Sequence, residues 1–291
     1  MKNYISKDDL ANDLLYETLC ALSNVLCAHN LDLTIVGASA RDIGMKLLGA
    51  DESKRRTADL DVAVALRDWS QYESLSESLQ KNHFKKLKSK QKFSYEGTDG
   101  KNDYEVDVVP FGEVADDEII KWPPMGVPEM SVRCYGDVMK NALDVEIGDI
   151  HVKIASLAGQ FLIKLDTWID RNDRVNKDAI DMRFILSQYY MANVMTYDSI
   201  PDVIDLDSGD TLLWGAQWIG FETSKMLSTE HLSYYADFLR QELSLDERSR
   251  LLQHFNVGKD DYSLEWESTK NALGGMLNVW EEELGKRMDS I

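Results

Sequence analysis

The run Asp59-Leu60-Asp61-Val62-Ala63-Val64 constrains this chain more than any other stretch. Its apolar and β-branched residues read as a strand, where residues i and i+2 share a face. Asp59 and Asp61 therefore point together, while Leu60 and Val62 point away. Two carboxylates at the mouth of an apolar strand repel each other and lose hydration, a costly arrangement unless a cation sits between them. Glu105-Val106-Asp107-Val108-Val109 has the same character. If the two strands are neighbours about 4.8 Å apart, Asp59, Asp61 and Asp107 converge on hard cations. Such ions take oxygen ligands at about 2.0–2.1 Å, the Mg²⁺ distance. Two of them about 3.5–4 Å apart form a clamp for in-line phosphoryl chemistry. Without that neighbour, Asp59 reads as a solvated strand end and Asp61 as a paired surface acid. Asp205-Leu206-Asp207 repeats the spacing in a chain with 51 acidic residues, so the pair alone decides nothing.

The order of elements narrows the fold. Residues 8–29 read as an amphipathic helix with Leu14, Leu15, Thr18, Leu19, Leu22, Val25 and Leu26 as its apolar stripe. Residues 31–36 read as a buried strand stopping at Gly37, 40–48 as a helix, and 69–81 as another. Strands are expected at 84–87, 92–95 and 104–109, followed by an irregular stretch with Pro110, Pro123, Pro124 and Pro128. Residues 144–147 and 149–152 flank Gly148 as a hairpin would. From Ile154 the pattern is helical, with Trp214, Trp218 and Ile219, then Trp266, Leu273, Leu277 and Trp280, at core spacing. The order predicts an α/β (α+β) domain over residues 1–190 and a helical C-terminal region over 191–291.

Composition excludes several classes. A 291-residue chain with 44% apolar residues buries a sizeable core and is not a disordered one. Its 32 Lys and Arg against 51 Asp and Glu give a net charge of −19, which excludes non-specific coating of DNA but not a local basic groove. Cys20, Cys27 and Cys134 are too scattered for a disulfide framework or zinc site, and Cys20 and Cys27 read as packed thiols on one helix face. The five histidines lack metal-ligand spacing, and no Gly-x-Ser-x-Gly occurs. The start lacks the apolar core of a signal peptide, and the apolar stretches at 154–163 and 211–221 are too short to span a bilayer. The expectation is a soluble, cytoplasmic protein without a membrane partner.

Two further segments add to the acids. Val36-Gly37-Ala38-Ser39-Ala40-Arg41 leaves a strand and opens a helix, where small residues, backbone amides and the Ser39 hydroxyl make an anion site. An ordinary turn with Ser39 as N-cap fits equally well, and no Walker P-loop is present. Lys164, on a helix, can reach a triphosphate as a point charge or snorkel from a buried face. Asp178 and Asp181 share a helix face and also suit the positive end of a helix dipole.

Gly37-Ala38-Ser39, Asp59-x-Asp61 and Asp107 together resemble the polymerase-β-like nucleotidyltransferase superfamily. The run Lys164-Leu165-Asp166-Thr167-Trp168, with Arg171 and Lys177-Asp178-x-x-Asp181, resembles its AbiEii-type branch, toxins of type IV toxin–antitoxin systems. The resemblance covers residues 30–190 and departs from the family in Ala38, where a second glycine or a serine is usual. It implies a nucleotidyltransferase core with a mixed sheet. It makes Asp59, Asp61 and Asp107 the acids for two Mg²⁺ ions, and Gly37, Ser39, Arg41 and Lys164 contacts to a nucleoside triphosphate. Lys164 and Asp178 complete the catalytic set, and Arg41 and Arg56 read either as contacts to the phosphates or base or as ordinary surface cations. The implied reaction moves a nucleoside monophosphate to an acceptor hydroxyl on transfer RNA, a protein or a small molecule such as an antibiotic. A toxin or phage-defence role adds an antitoxin protein as partner. The alternatives are a small-molecule transferase and a non-catalytic nucleotide- or cation-binding module of the same fold. The basic tract over 81–92, with Phe84 and Phe93 interleaved, reads as an RNA-facing strand pair or as a solvated sheet edge.

Overall fold

The computed structural model describes residues 3–10, 12–50, 59–98, 100, 102–172, 177–194, 200–257 and 262–289. Arg56 and the charged loop around it lie outside them. The described chain divides into two compact units, residues 1–156 and 157–291.

The first unit contains strands β1 (Tyr4–Ile5), β2 (Thr34–Val36), β3 (Asp59–Ala65), β4 (Phe84–Lys86), β5 (Lys92–Glu96), β6 (Asp103–Phe111), β7 (Ile119–Lys121), β8 (Glu129–Ser131), β9 (Leu143–Ile147) and β10 (Ile150–Ile154). Its helices are α1 (Asp13–Ala28), α2 (Gly37–Leu47), α3 (Trp69–Lys81) and α4 (Tyr135–Lys140). Eight strands form a mixed sheet in the order β1-β9-β10-β2-β3-β6-β5-β4, and β7 and β8 make a separate hairpin. The general α+β expectation holds.

Local chemistry explains these elements. Asn12 caps α1 by accepting from the Leu15 amide at 2.8 Å, and Asp68 caps α3 through the Gln71 amide at 2.9 Å. Leu19, Leu22 and Leu26 of α1 are buried, as are Leu75 and Leu79 of α3, which packs on it. Each such side chain contributes about 1.5–3 kcal/mol by leaving water. The β9–β10 hairpin turns at Gly148 with φ +56°, where a Cβ would meet the Tyr16 hydroxyl at 2.7 Å. Cys27, expected to pack beside Cys20, is exposed because it falls outside the buried stripe of α1.

The proline-rich stretch is more ordered than its composition implies. Pro110 lies within β6, and β7 and β8 pair on either side of a loop containing Pro123, Pro124 and Pro128.

The second unit is helical: α5 (Leu157–Arg171), α6 (Lys177–Val194), α7 (Thr211–Met226), α8 (Thr229–Ser244), α9 (Arg250–Phe255) and α10 (Tyr262–Asp289). The division falls at the start of α5 rather than near residue 190, because α5 and α6 pack on each other and on α7. Trp218, Ile219, Trp266, Leu273, Leu277 and Trp280 are buried, as their spacing predicts, and Trp280 donates to the Thr223 hydroxyl at 2.9 Å, whereas Trp214 is half-buried and donates to the Asp205 carbonyl at 2.7 Å. No described helix is long and apolar enough to cross a membrane.

Candidate functional site

Strand register builds the site in the first unit. β2 runs antiparallel to β3 with Val36 opposite Asp61, β3 runs parallel to β6 with Asp61 opposite Asp107, and β6 runs antiparallel to β5 with Asp107 opposite Lys92. Val36, Asp61, Asp107 and Lys92 therefore form one row across four strands, their side chains on one face. Asp59 lies one pleat away on that face, opposite Glu105. The sequence-predicted acids Asp61 and Asp107 are brought together, with Asp59 in the adjoining row.

Gly37, the residue after Val36, closes one end of the row. Its φ is +68°, and a Cβ built there would stand 2.0 Å from Asp61 Oδ2 and 3.0 Å from Asp61 Cβ. Only a bare α-carbon lets the Asp61 side chain lie against the start of α2. The helix begins at Gly37, so Ser39 sits in its first turn and is not its N-cap; that position belongs to Val36, without a side-chain cap. The Ser39 hydroxyl is buried and donates to the Asp59 carbonyl at 3.5 Å, tying α2 to β3. Arg41 is 3% exposed and pairs with Asp42 at 2.8 Å, so it is neither a surface cation nor open to a nucleotide along that side.

Lys92 closes the other end. Its ammonium pairs with Glu105 and lies 3.0 Å from Asp107 Oδ1, an atom that is buried and outside hydrogen-bond geometry. Burial, with the charges of Glu105 and Asp59, pushes the Asp107 carboxyl above its ordinary value against the pull of Lys92. Burial acts to lower the Lys92 ammonium, and Glu105 and Asp107 override it and hold its pKa high. Lys92 and Glu105 were not singled out in sequence, where only the antiparallel pairing of β5 with β6 would have linked them to Asp107.

Among the described residues, no group of three or more His, Cys, Asp or Glu side chains is gathered as a metal-binding cluster. Asp59 stands one pleat repeat, roughly 6–7 Å, along β3 from Asp61 on the same face, and its charge acts on Asp107. The donor chemistry of the Asp61 and Asp107 pair, carboxylate oxygens alone, fits a hard dication, and the Lys92 ammonium answers Asp107 Oδ1 at 3.0 Å.

Lys164 and Asp178 lie in the second unit and join each other. Lys164 Nζ meets Asp178 at 3.0 Å and Asp181 at 2.9 Å, while Arg171 reaches Asp178 Oδ2 through Nε at 2.9 Å and Nη2 at 2.7 Å. The Asp178 side chain has no solvent exposure. Burial acts to raise its pKa, but Lys164 and Arg171 outweigh that and hold the carboxyl below its ordinary value. Burial likewise acts to lower Lys164, and the two aspartates keep its pKa raised. The contacts bind α5 to α6, so these side chains neither snorkel nor serve only a helix dipole.

No protein-family model matches the chain. No curated protein matches it either. Among solved structures, the crystal structure of JHP933 from Helicobacter pylori is similar over 95% of each chain at 13% identity, with a TM-score of 0.36, a likeness too weak to carry an argument.

Proposed function

We propose that this chain is a nucleotidyltransferase that moves a nucleoside monophosphate from a nucleoside triphosphate to an acceptor hydroxyl. The observation that supports this reading is the row in which Asp61, packed on Gly37 at the start of α2, stands in register with Asp107. Asp61 and Asp107 hold the divalent cation, with Asp59 on the same face. Mg²⁺ bound there supplies the charge neutralisation that in-line displacement at phosphorus requires. The backbone N–H groups at the start of α2 attract phosphate oxygens. Asp107 accepts the acceptor's proton as the acceptor oxygen bonds to the α-phosphorus and the bond to pyrophosphate breaks. Lys164 and Asp178, which the resemblance adds to the catalytic set, are engaged with each other between α5 and α6.

A second reading, a non-catalytic cation- or nucleotide-binding module, is favoured by the Lys92 ammonium beside Asp107. One experiment separates the two. The protein is incubated with each α-labelled nucleoside triphosphate, Mg²⁺ and a cell lysate, then fractionated into RNA, protein and small molecules. Transferase activity puts label in one fraction, releases pyrophosphate, and disappears in a folded Asp61→Asn variant. Absence of label and pyrophosphate in every fraction, or activity unchanged in Asp61→Asn, overturns the proposal. The module reading instead expects a melting temperature that rises with Mg²⁺, more so in Lys92→Met, without any transfer.

A further inference from the structure

The opposite face of the same sheet carries a second arrangement that the proposed reaction does not use. Phe93 of β5 is the partner of both Val106 and Lys86, so these three side chains point away from Asp107 and Lys92. There Trp69, Tyr72, Trp122, Lys86 and Lys90 line a cavity of about 490 Å³, bounded also by Pro123 and Pro124. The volume lies within the range of about 300–1,000 Å³ usual for small-ligand sites.

The walls are aromatic. The Trp69 and Trp122 rings lie 5.1 Å apart between centroids and tilted by 50°, and Tyr72 meets Trp122 edge-on at 5.3 Å. Lys86 Nζ sits 4.0 Å from the Phe93 ring centroid and 5.1 Å from that of Tyr72. It donates to the Tyr72 hydroxyl at 3.3 Å and to the Lys90 carbonyl. An ammonium has three N–H donors and only two of them reach oxygen atoms here, so one has no oxygen partner, and no carboxylate among the described residues pairs with Lys86. A half-buried cation in apolar surroundings is costly without a counter-ion. Lys90 adds a second cation at the same wall and, after burial, helps to lower the Lys86 pKa to about 8. Glu73 and Glu77 are exposed at the rim and disfavour a ligand with negative charge at that end.

We propose that this cavity binds a small molecule with a planar aromatic ring and one anionic group, the ring against Trp69 and Trp122 and the anion on Lys86 and Lys90. The ring gains stacking and burial against the tryptophans, and the anion takes the unused Lys86 donor as a charge-assisted hydrogen bond. The same chemistry is offered by a nucleoside monophosphate and by an aromatic carboxylate.

Calorimetric and tryptophan-fluorescence titrations of the whole chain, with chelator present, test this. The probes are two matched pairs: nucleoside 5′-monophosphates against their nucleosides, and indole-3-acetate against indole. The anionic member of one pair is expected to bind about tenfold more tightly than its neutral partner. Whichever pair shows the difference identifies the source. Lys86→Met, which keeps the stem and removes the charge, abolishes the difference while the melting curve stays cooperative. Trp69→Ala weakens both members. Binding in chelator, retained in Asp61→Asn, keeps this site separate from the proposed transfer reaction. Failure of every probe to bind at millimolar concentration, equal binding of charged and neutral members, or discrimination surviving in Lys86→Met overturns the proposal.

Discussion

At Asp61 one side chain has a glycine on one side and another acid on the other. Gly37 leaves room for the carboxylate, and the parallel register sets Asp107 beside it. Gly37→Ala disturbs both conditions. A non-glycine residue at that φ costs about 1–2 kcal/mol. The new methyl group also displaces the Asp61 side chain from its β-carbon outward, because the clash involves more than the carboxylate tip. The expected result is a modest fall in melting temperature, an unchanged far-ultraviolet circular dichroism spectrum, and nucleotide transfer reduced at least as far as by Asp61→Asn. Full activity in Gly37→Ala would show that the close packing of Asp61 is unimportant.

The α5–α6 pairing belongs to the scale of elements. Asp178 is fully buried, and Lys164 and Arg171 are its counter-charges. Removing one partner of a buried ion pair costs about 3–5 kcal/mol. Lys164→Met should fall at the lower end, near 3 kcal/mol, since Arg171 still faces Asp178. Urea denaturation at neutral pH measures it. The sign of the pH dependence follows from the lowered Asp178 pKa: the stabilisation is present above the unfolded value of about 3.9 and is lost as pH falls through the folded one. The wild type should therefore lose stability on acidification below about pH 4 more steeply than Asp178→Asn. Parallel curves would remove Asp178 from the account.

Legibility in sequence followed the range of the cause. The α3 helix was readable to its ends, because its cap, its stripe and the following loop are all local. So was the β9–β10 hairpin, from Gly148 and the strand-like runs on either side of it. The β7–β8 hairpin was not: three-residue strands around prolines carry no periodic signal, and only their pairing defines them. In the candidate site the acids were legible from alternation along β3 and β6. The ion pair to Lys92 was hidden, because it depends on which strand lies beside β6. Lys164 and Asp178 were legible only as separate polar residues on two helices, since their mutual contact depends on how α5 meets α6.

For the whole molecule, charge is the dominant quantity. With −19 on 291 residues, self-repulsion opposes compaction, and salt screens it over about 10 Å at 0.1 M. The melting temperature should rise as sodium chloride goes from a few millimolar to about 0.2 M, and a flat response would mean that local ion pairs outweigh the net field. The sheet row described above has a further consequence for how the chain tolerates length changes. A single residue inserted into β6 ahead of Val106 would rotate Val106 and Val108 to the opposite face and drive the Asp107 carboxylate beneath the helices. Frame within that strand is thus enforced twice, once by oil and once by charge, and insertions should survive in the loops flanking it while being purged from the strand itself.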